Sequence, residues 1–531
     1  MAANCACVAS VGEMFGTPPS VLLDRVLTGL QEMTDVSPEQ ATAWRGALPH
    51  IYQILPSLHP GLTAVFEYRL PMSNERIDLT LLGRSPAGRP TAVVLELKGW
   101  RNAREVDTGI VLADGEDRQH PEWQVQNYLG KLKFCHSASD RFEFVGGIWL
   151  YNLPKGSLTF ANECPAFHQG EHESLAKFLK ERLSEPLDPS CVQEFLEGKY
   201  IQTPHLFEAV RSNFEALRRG ALQALCSHGF GPSEEQHQLL QEILAAVQKG
   251  QRTCFLVQGE PGSGKSYLAI LLLLTALKDF RGAGQDWERQ NIAAFGCRNN
   301  RLLNTLRQVF NGGAPGLGGV LHFFAPGGNT EGLAKGDPYD PHFRLVVYDE
   351  AQRMPEANIP IAMQRGDVTV FFYDETQILT ADEGGWTENY VREAENLGLD
   401  VHQRQLRGIY RVQGGRRYHD FVEKLLDSPK EVRLPDDLPY DFRVFSDIRD
   451  MLQVLREKGT QAGIKVALVA AFTESPGDNR GPTKRSLANR RIGYPLQSGF
   501  ARYKGLGVDI YWLMDPKEQY PRFWLKGQSN D

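Results

Sequence analysis

TCFLVQGEPGSGKSYLAILLLL, Thr253 to Leu274, is the stretch that decides the fold. A β-prone run, TCFLVQ, leads into GEPGSGKS at 259–266, and an apolar run from Leu268 to Leu277 follows. Strand, glycine-rich turn and helix in that order set backbone N–H groups at a helix N-terminus, where they cradle phosphate oxygens. Gly259, Gly262, Ser263 and Gly264 shape the turn. Lys265 would reach the β- and γ-phosphates and Ser266 would bind Mg²⁺. ATP and Mg²⁺ are therefore the expected cofactors, with Mn²⁺ as a substitute. The apolar run is too short to span a bilayer and reads as a buried helix.

Outward from this loop, strand-like runs at 253–258, 291–296, 343–348 and 368–373 alternate with helical patterns. Such alternation predicts an α/β fold with a parallel sheet. FRLVVYDEAQR is an apolar strand ending in Asp349 and Glu350. Asp349 would hold the magnesium through water, and Glu350 would orient or deprotonate the attacking water. VTVFFYDETQ ends in Asp374 and Gln377. Open α/β sheets present the carboxyl ends of their strands to the ligand, so Gln377 would sense the γ-phosphate.

Taken together, GEPGSGKS, IAAFGCRNNRLLNTLRQVF, VVYDEAQR, FFYDETQ and QLRGIYRVQGGRRYHDFVEKLL resemble the Schlafen-type group of superfamily 1 helicase-like ATPases. The resemblance covers 231–525 and implies a RecA-like ATPase acting on nucleic acid. It implies Arg411 as an arginine finger on the transferred phosphoryl group, and Gln236 as an adenine contact. Helicases of this type carry a late Gln-Gly segment and a final arginine-bearing segment, and neither is found before Asp531. Residues 401–531, with strands expected at 464–471 and 507–513, thus read as a partial second RecA-like domain. A partner chain would supply what it lacks, and homo-oligomers are also allowed.

A second centre lies near the N-terminus in RIDLTLLGRSPAGRPTAVVLELK, residues 76–98. Two β-like runs flank a Gly/Pro-rich loop, which predicts a hairpin. Pairing Leu82 near Thr91 sets Asp78 opposite Leu95 or Glu96, and a one-residue shift decides which. Glu96 and Lys98, two apart, project from one face. Burying them is costly unless they pair or bind metal. The region resembles PD-(D/E)xK nucleases. That resemblance implies Asp78 and Glu96 as Mg²⁺ ligands, Lys98 as the group that orients or activates water and stabilises phosphorane charge, and Glu67 as an accessory acid. Gln124 and Tyr128 match the QxxxY helix of a RecB-like subset, one turn apart on one helix face.

Other strand-like runs, at 63–70 and 143–151, and helical patterns at 18–58, 121–134 and 172–183 complete an N-terminal nuclease-like module over 1–200. A helical connector follows over 201–230, the P-loop domain over 231–400 and the partial domain over 401–531. A chain of 531 residues exceeds one core and suits about two to four domains. Apolar residues at 41% and charged residues at 23% are ordinary for a soluble protein. Eight scattered cysteines lack zinc spacing and read as free thiols in a reducing cytoplasm. No signal sequence or membrane span is expected. The net charge of −7 excludes a globally basic nucleic-acid binder but leaves local basic surfaces. Arg404–Arg417 and Arg480–Arg491 are candidates, with Tyr410 and Tyr418 placed to stack on bases.

The resulting expectation is an ATP-regulated, Mg²⁺-dependent nuclease acting on DNA, with a role in defence against foreign DNA. The alternatives are RNA as substrate, and an ATP-binding switch or scaffold whose nuclease fold only binds.

Overall fold

The computed structural model describes residues 4–460 apart from short stretches, the longest being 199–208, 214–222, 280–290, 325–331, 407–414 and 435–440. Beyond 460 it describes 466, 494–495 and 511–512. The expected strands at 464–471 and 507–513 and the basic run at 480–491 therefore lie largely or wholly outside the described residues, as does Arg411.

Two six-stranded sheets organise the chain. In the N-terminal sheet, β1 (Cys7–Ser10), β2 (Thr63–Arg69), β3 (Arg76–Arg84) and β4 (Pro90–Lys98) run antiparallel in that order. β8 (Glu143–Leu150) then adds parallel to β4, and β9 (Ala166–Phe167) parallel to β8. Alternation along β4 sorts its side chains between two cores. Val93 and Leu95 pack with Trp44 and Ile51 of helix α3 (Pro38–Ile54), and Ala92 and Val94 pack with Tyr128 and Leu132 of helix α4 (Pro121–Cys135). Helices α1 (Val11–Gly16), α2 (Pro19–Met33) and α5 (His172–Arg182) back the first core, and α6 (Pro189–Leu196) the second. A small antiparallel sheet of β5 (Ala103–Asp107), β6 (Ile110–Ala113) and β7 (Glu116–Gln119), which the sequence reading lacked, leads into α4.

A short helix, α7 (Gln223–Cys226), and then α8 (Glu234–Lys249) lead to the second sheet. That sheet is wholly parallel, in the order β12 (Leu321–Phe323), β11 (Ala293–Cys297), β13 (Phe343–Tyr348), β14 (Gly366–Tyr373), β10 (Thr253–Gly259), β15 (Asp400–Leu406). β15 pairs with β10 along its whole length, so this sheet runs past residue 400. The helix after the phosphate loop, α9 (Lys265–Asp279), is buried along Leu268–Leu274, which explains its lack of a polar face. Among the described residues no helix is long and apolar enough to cross a membrane. All eight cysteines are free and buried.

Helix α4 is the hinge-point of the architecture in a structural sense: every residue from Pro121 to Tyr128 is buried. One side faces the N-terminal sheet, while Trp123 belongs to the core of the second sheet. Gly130 meets the backbone of Cys226 and Gly229 so closely that any Cβ there would collide with Gly229 N and Cys226 O.

Candidate functional site

Three elements build the nucleotide site. Gly262 and Gly264 adopt φ of 85° and 88°, conformations that glycine reaches without strain. They turn the chain between β10 and α9. Lys265, 7% exposed, donates to the carbonyls of Gly259 and of Glu260, the latter at 3.1 Å. Gln236 Nε2 donates to the Ser263 carbonyl at 3.3 Å and sits where a Cβ on Gly264 would come within 2.5 Å of it. The expected adenine contact is thus tied to the loop itself.

Asp349 ends β13, two strands from β10, and is fully buried. Among the described residues, neither of its carboxylate oxygens finds a hydrogen-bond partner of ordinary geometry. Burial, and then the Glu350 charge, push its pKa up to about 6 against the pull of Ser266 and Lys265. Two bare buried oxygens beside a serine hydroxyl fit a hard cation. Glu350 stands at φ 54°, a left-handed conformation rare for a non-glycine residue. Gln352, buried and missed by the sequence reading, connects the ends of β13 and β14. Its Nε2 donates to Glu350 Oε2 at 2.6 Å and its Oε1 accepts from Asp374 N at 3.3 Å. Asp374 Oδ2 in turn accepts from Gln377 Nε2 at 2.6 Å. Glu350 and Gln377 are therefore joined by one hydrogen-bonded chain.

At the N-terminal centre the hairpin register is one residue from the Leu82–Thr91 pairing: Leu82 pairs with Ala92 and Leu79 with Leu95. Continued by one residue, that register sets Asp78 across from Glu96. Asp78 Oδ2 accepts from Leu97 N at 2.7 Å. Lys98 Nζ lies 2.6 Å from Glu96 Oε1, while Glu96 Oε2 is buried with no hydrogen-bond partner among the described residues. Burial, then Glu96, hold the Asp78 carboxyl well above its usual range. Burial also raises Glu96, with Lys98 opposing. For Lys98 burial works against the charge, but Glu96 and then Asp78 outweigh it and keep the ammonium protonated. An ammonium beside two carboxylates is suited to meet negative charge.

Gln124 and Tyr128 are both buried on α4, and Gln124 Oε1 has no partner among the described residues. Burial, then the charges of Glu96 and Asp78, raise the Tyr128 hydroxyl. Glu67 is near but engaged. Its φ of 52° breaks the alternation of β2, so that Val65 and Tyr68 share one core and Glu67 turns to α3. Its oxygens accept from Trp44 Nε1 and Arg76 Nε, both at 2.7 Å. No group of three or more His, Cys, Asp or Glu side chains among the described residues is arranged to hold a metal. Magnesium commonly rests on one or two carboxylates and keeps its waters, so Asp78 with the bare oxygen of Glu96 is a sufficient protein contribution.

Glu234, in the first turn of α8, accepts from Gln119 N at 3.3 Å and lies 3.9 Å from Arg118 Nη1, so it holds the end of β7. The sequence shows only its setting, the Ser233–Gln236 capping box. Of the basic surface groups, Arg404 is paired to Glu242, with Arg404 Nε donating to Oε2 at 2.9 Å, and is not offered to a ligand. Tyr410 lies outside the described residues, and Tyr418 is in the helix Gly415–Asp427.

Residues 252–530 match the family model of the Schlafen group 3, DNA/RNA helicase domain. That match takes in more than half of the chain. The chain belongs to this family. The matched residues are a Schlafen group 3, DNA/RNA helicase domain, and the match extends through the residues expected to form a partial second domain. No curated protein matches it. Seventeen chains of solved structures do. One comes from a structure described as "Structural Basis for DNA Unwinding at Forked dsDNA by two coordinating Pif1 helicases", at 15% identity, 42% of this chain, 51% of that chain and a TM-score of 0.22. This protein thus spans about half the length of that helicase chain.

Proposed function

We propose that the helicase-like ATPase governs a Mg²⁺-dependent phosphodiester-cleaving centre of the PD-(D/E)xK kind on the N-terminal sheet, acting on DNA. The observation that carries the reading is Asp78 across from Glu96, with Lys98 held 2.6 Å from Glu96 on a buried strand. A bound Mg²⁺ would supply Lewis acidity to the scissile phosphate and lower the pKa of a water. Asp78 and Glu96 would hold it. Lys98, kept charged by them, would meet the negative charge that develops on phosphorus, and Gln124 and Tyr128 would brace the pair from α4. In the ATPase, Lys265, Ser266 and Asp349 would hold Mg-ATP. Glu350 would orient the attacking water, the Gln352–Asp374–Gln377 chain would report the γ-phosphate, and Arg411 would act as arginine finger. Defence against foreign DNA suits a nuclease joined to such a motor.

The test uses the whole chain with linear, circular and single-stranded DNA, and with RNA, in Mg²⁺ or Mn²⁺, with and without ATP. Lys98→Ala is expected to lower cleavage at least about 100-fold, the scale of losing one charge-stabilising group. Lys265→Ala is expected to remove ATP hydrolysis and the ATP effect on cleavage. If wild type leaves every substrate intact, the nuclease reading fails. If cleavage ignores both ATP and Lys265→Ala, the nuclease stands and its control by ATP does not. Cleavage of RNA alone would move the substrate class. A second reading, a nucleotide-gated binding module, draws on Glu67, whose oxygens are both committed to Trp44 and Arg76.

A further inference from the structure

Helix α8 touches the phosphate loop and the junction of β7 with α4 around its first turn. Ser233 caps it: Ser233 Oγ accepts from Gln236 N at 3.3 Å, and Gln236 Oε1 accepts from Ser233 N at 3.1 Å. One end of the Gln236 amide is thereby locked to the helix start. The other end donates to Ser263 O of the phosphate loop. A displacement of Ser263 therefore acts on the helix start through a single, doubly held side chain.

The same turn is bolted to the N-terminal sheet. Gln119 Nε2 donates to Pro232 O at 3.1 Å and Gln119 N to Glu234 Oε1 at 3.3 Å. Gln238 Nε2 donates to Asp117 O at 2.9 Å. The Trp123 and His237 rings stack with centroids 5.3 Å apart and planes 4° from parallel. Gln119 ends β7 and α4 begins at Pro121, so these contacts grip the strand end and first turn of the helix that carries Gln124 and Tyr128. From Ser263 to Gln119 and Trp123 the path runs through one helical turn and its side chains.

We propose that this turn is the mechanical link between the phosphate loop and the start of α4, with Gln236 following the loop and Gln119 and Trp123 receiving its motion. The link does not rest on the reading of the N-terminal carboxylates as a cleavage centre. A purely structural interface would bury the same groups but would not respond to nucleotide.

Hydrogen–deuterium exchange of the whole chain, with and without Mg²⁺ and a non-hydrolysable ATP analogue at saturation, separates the two. Protection of the 259–268 peptide reports that nucleotide is bound. In wild type, amides of 117–128 are expected to change their exchange rate at least about fivefold on binding, the low end of ordinary allosteric couplings. In Gln236→Ala, with 259–268 still protected at saturation, that response is expected to vanish. Unchanged exchange at 117–128 in wild type overturns the link. Slow exchange in β10 and β14 certifies that each variant is folded. If wild type cleaves nothing, the nuclease reading has failed, and the exchange response still decides the link.

Discussion

Glu67 pays a conformational cost at φ 52° and keeps it because both oxygens are used, by Trp44 and by Arg76. Glu67→Ala strands a buried indole N–H and is expected to destabilise the N-terminal sheet by about 2–3 kcal/mol. Glu67→Gln preserves the indole bond and should lose about 1 kcal/mol; urea midpoints compare the two. Gln352 is a second test at this scale. Gln352→Ala cuts the chain between Glu350 and Gln377, so kcat for ATP hydrolysis is expected to fall roughly tenfold or more, with ATP affinity nearly unchanged. Nucleotide titration and steady-state hydrolysis check both halves. His136 sets a pH limit. It is fully buried and hydrogen-bonded to the Tyr68 hydroxyl at 2.8 Å, and burial lowers its pKa to about 4. A depressed histidine pKa contributes stability above the unfolded value near 6.5, lost as pH falls toward 4, up to roughly 3 kcal/mol. Unfolding midpoints at pH 7 and 4.5 should differ less in His136→Gln.

Among elements, α4 is the most exacting. Its Gly130 lies against the backbone at Cys226 and Gly229, where nothing can yield by rotating a side chain. Gly130→Ala is expected to cost about 1–3 kcal/mol by overpacking, despite raising helix propensity, and denaturant unfolding gives the figure. The α4 pattern also marks where sequence reading reaches its limit. The helix itself was legible, and QxxxY placed Gln124 and Tyr128 on one face. That the remaining faces are buried was not, because their partners lie about a hundred residues away, at Gln223 and His237. The hairpin gives the same lesson in another form. Composition announces β3 and β4, but pairing Leu82 with Thr91 or with Ala92 is a difference that only the packed sheet fixes, and it decides whether Asp78 meets Glu96. The phosphate loop was legible because its chemistry is local: strand, turn and helix are contiguous from Thr253 to Asp279.

For the whole molecule, the two sheets are joined through buried apolar surface as well as hydrogen bonds. Trp123 of α4 packs into the core that contains Leu240 of α8 and Phe255 of β10. Gln352, Glu234 and the pairing of β15 beside β10 were invisible in the sequence for one physical reason. Each depends on a fold already formed, bringing together positions that no periodicity or motif relates.

The burial of α4 has a practical consequence for dissecting this protein. A fragment ending near residue 200, the natural place to cut by sequence, would keep α4 but lose Cys226, Gly229, Leu240 and His237, which cover it. Trp123 and its neighbours would then face water as an apolar patch, and the fragment should self-associate. A fragment carried on through α8 to Lys249 retains that cover. Light scattering of the two pieces at equal concentration should find the shorter one aggregated and the longer one less so, and assays of the isolated N-terminal sheet belong on the longer piece.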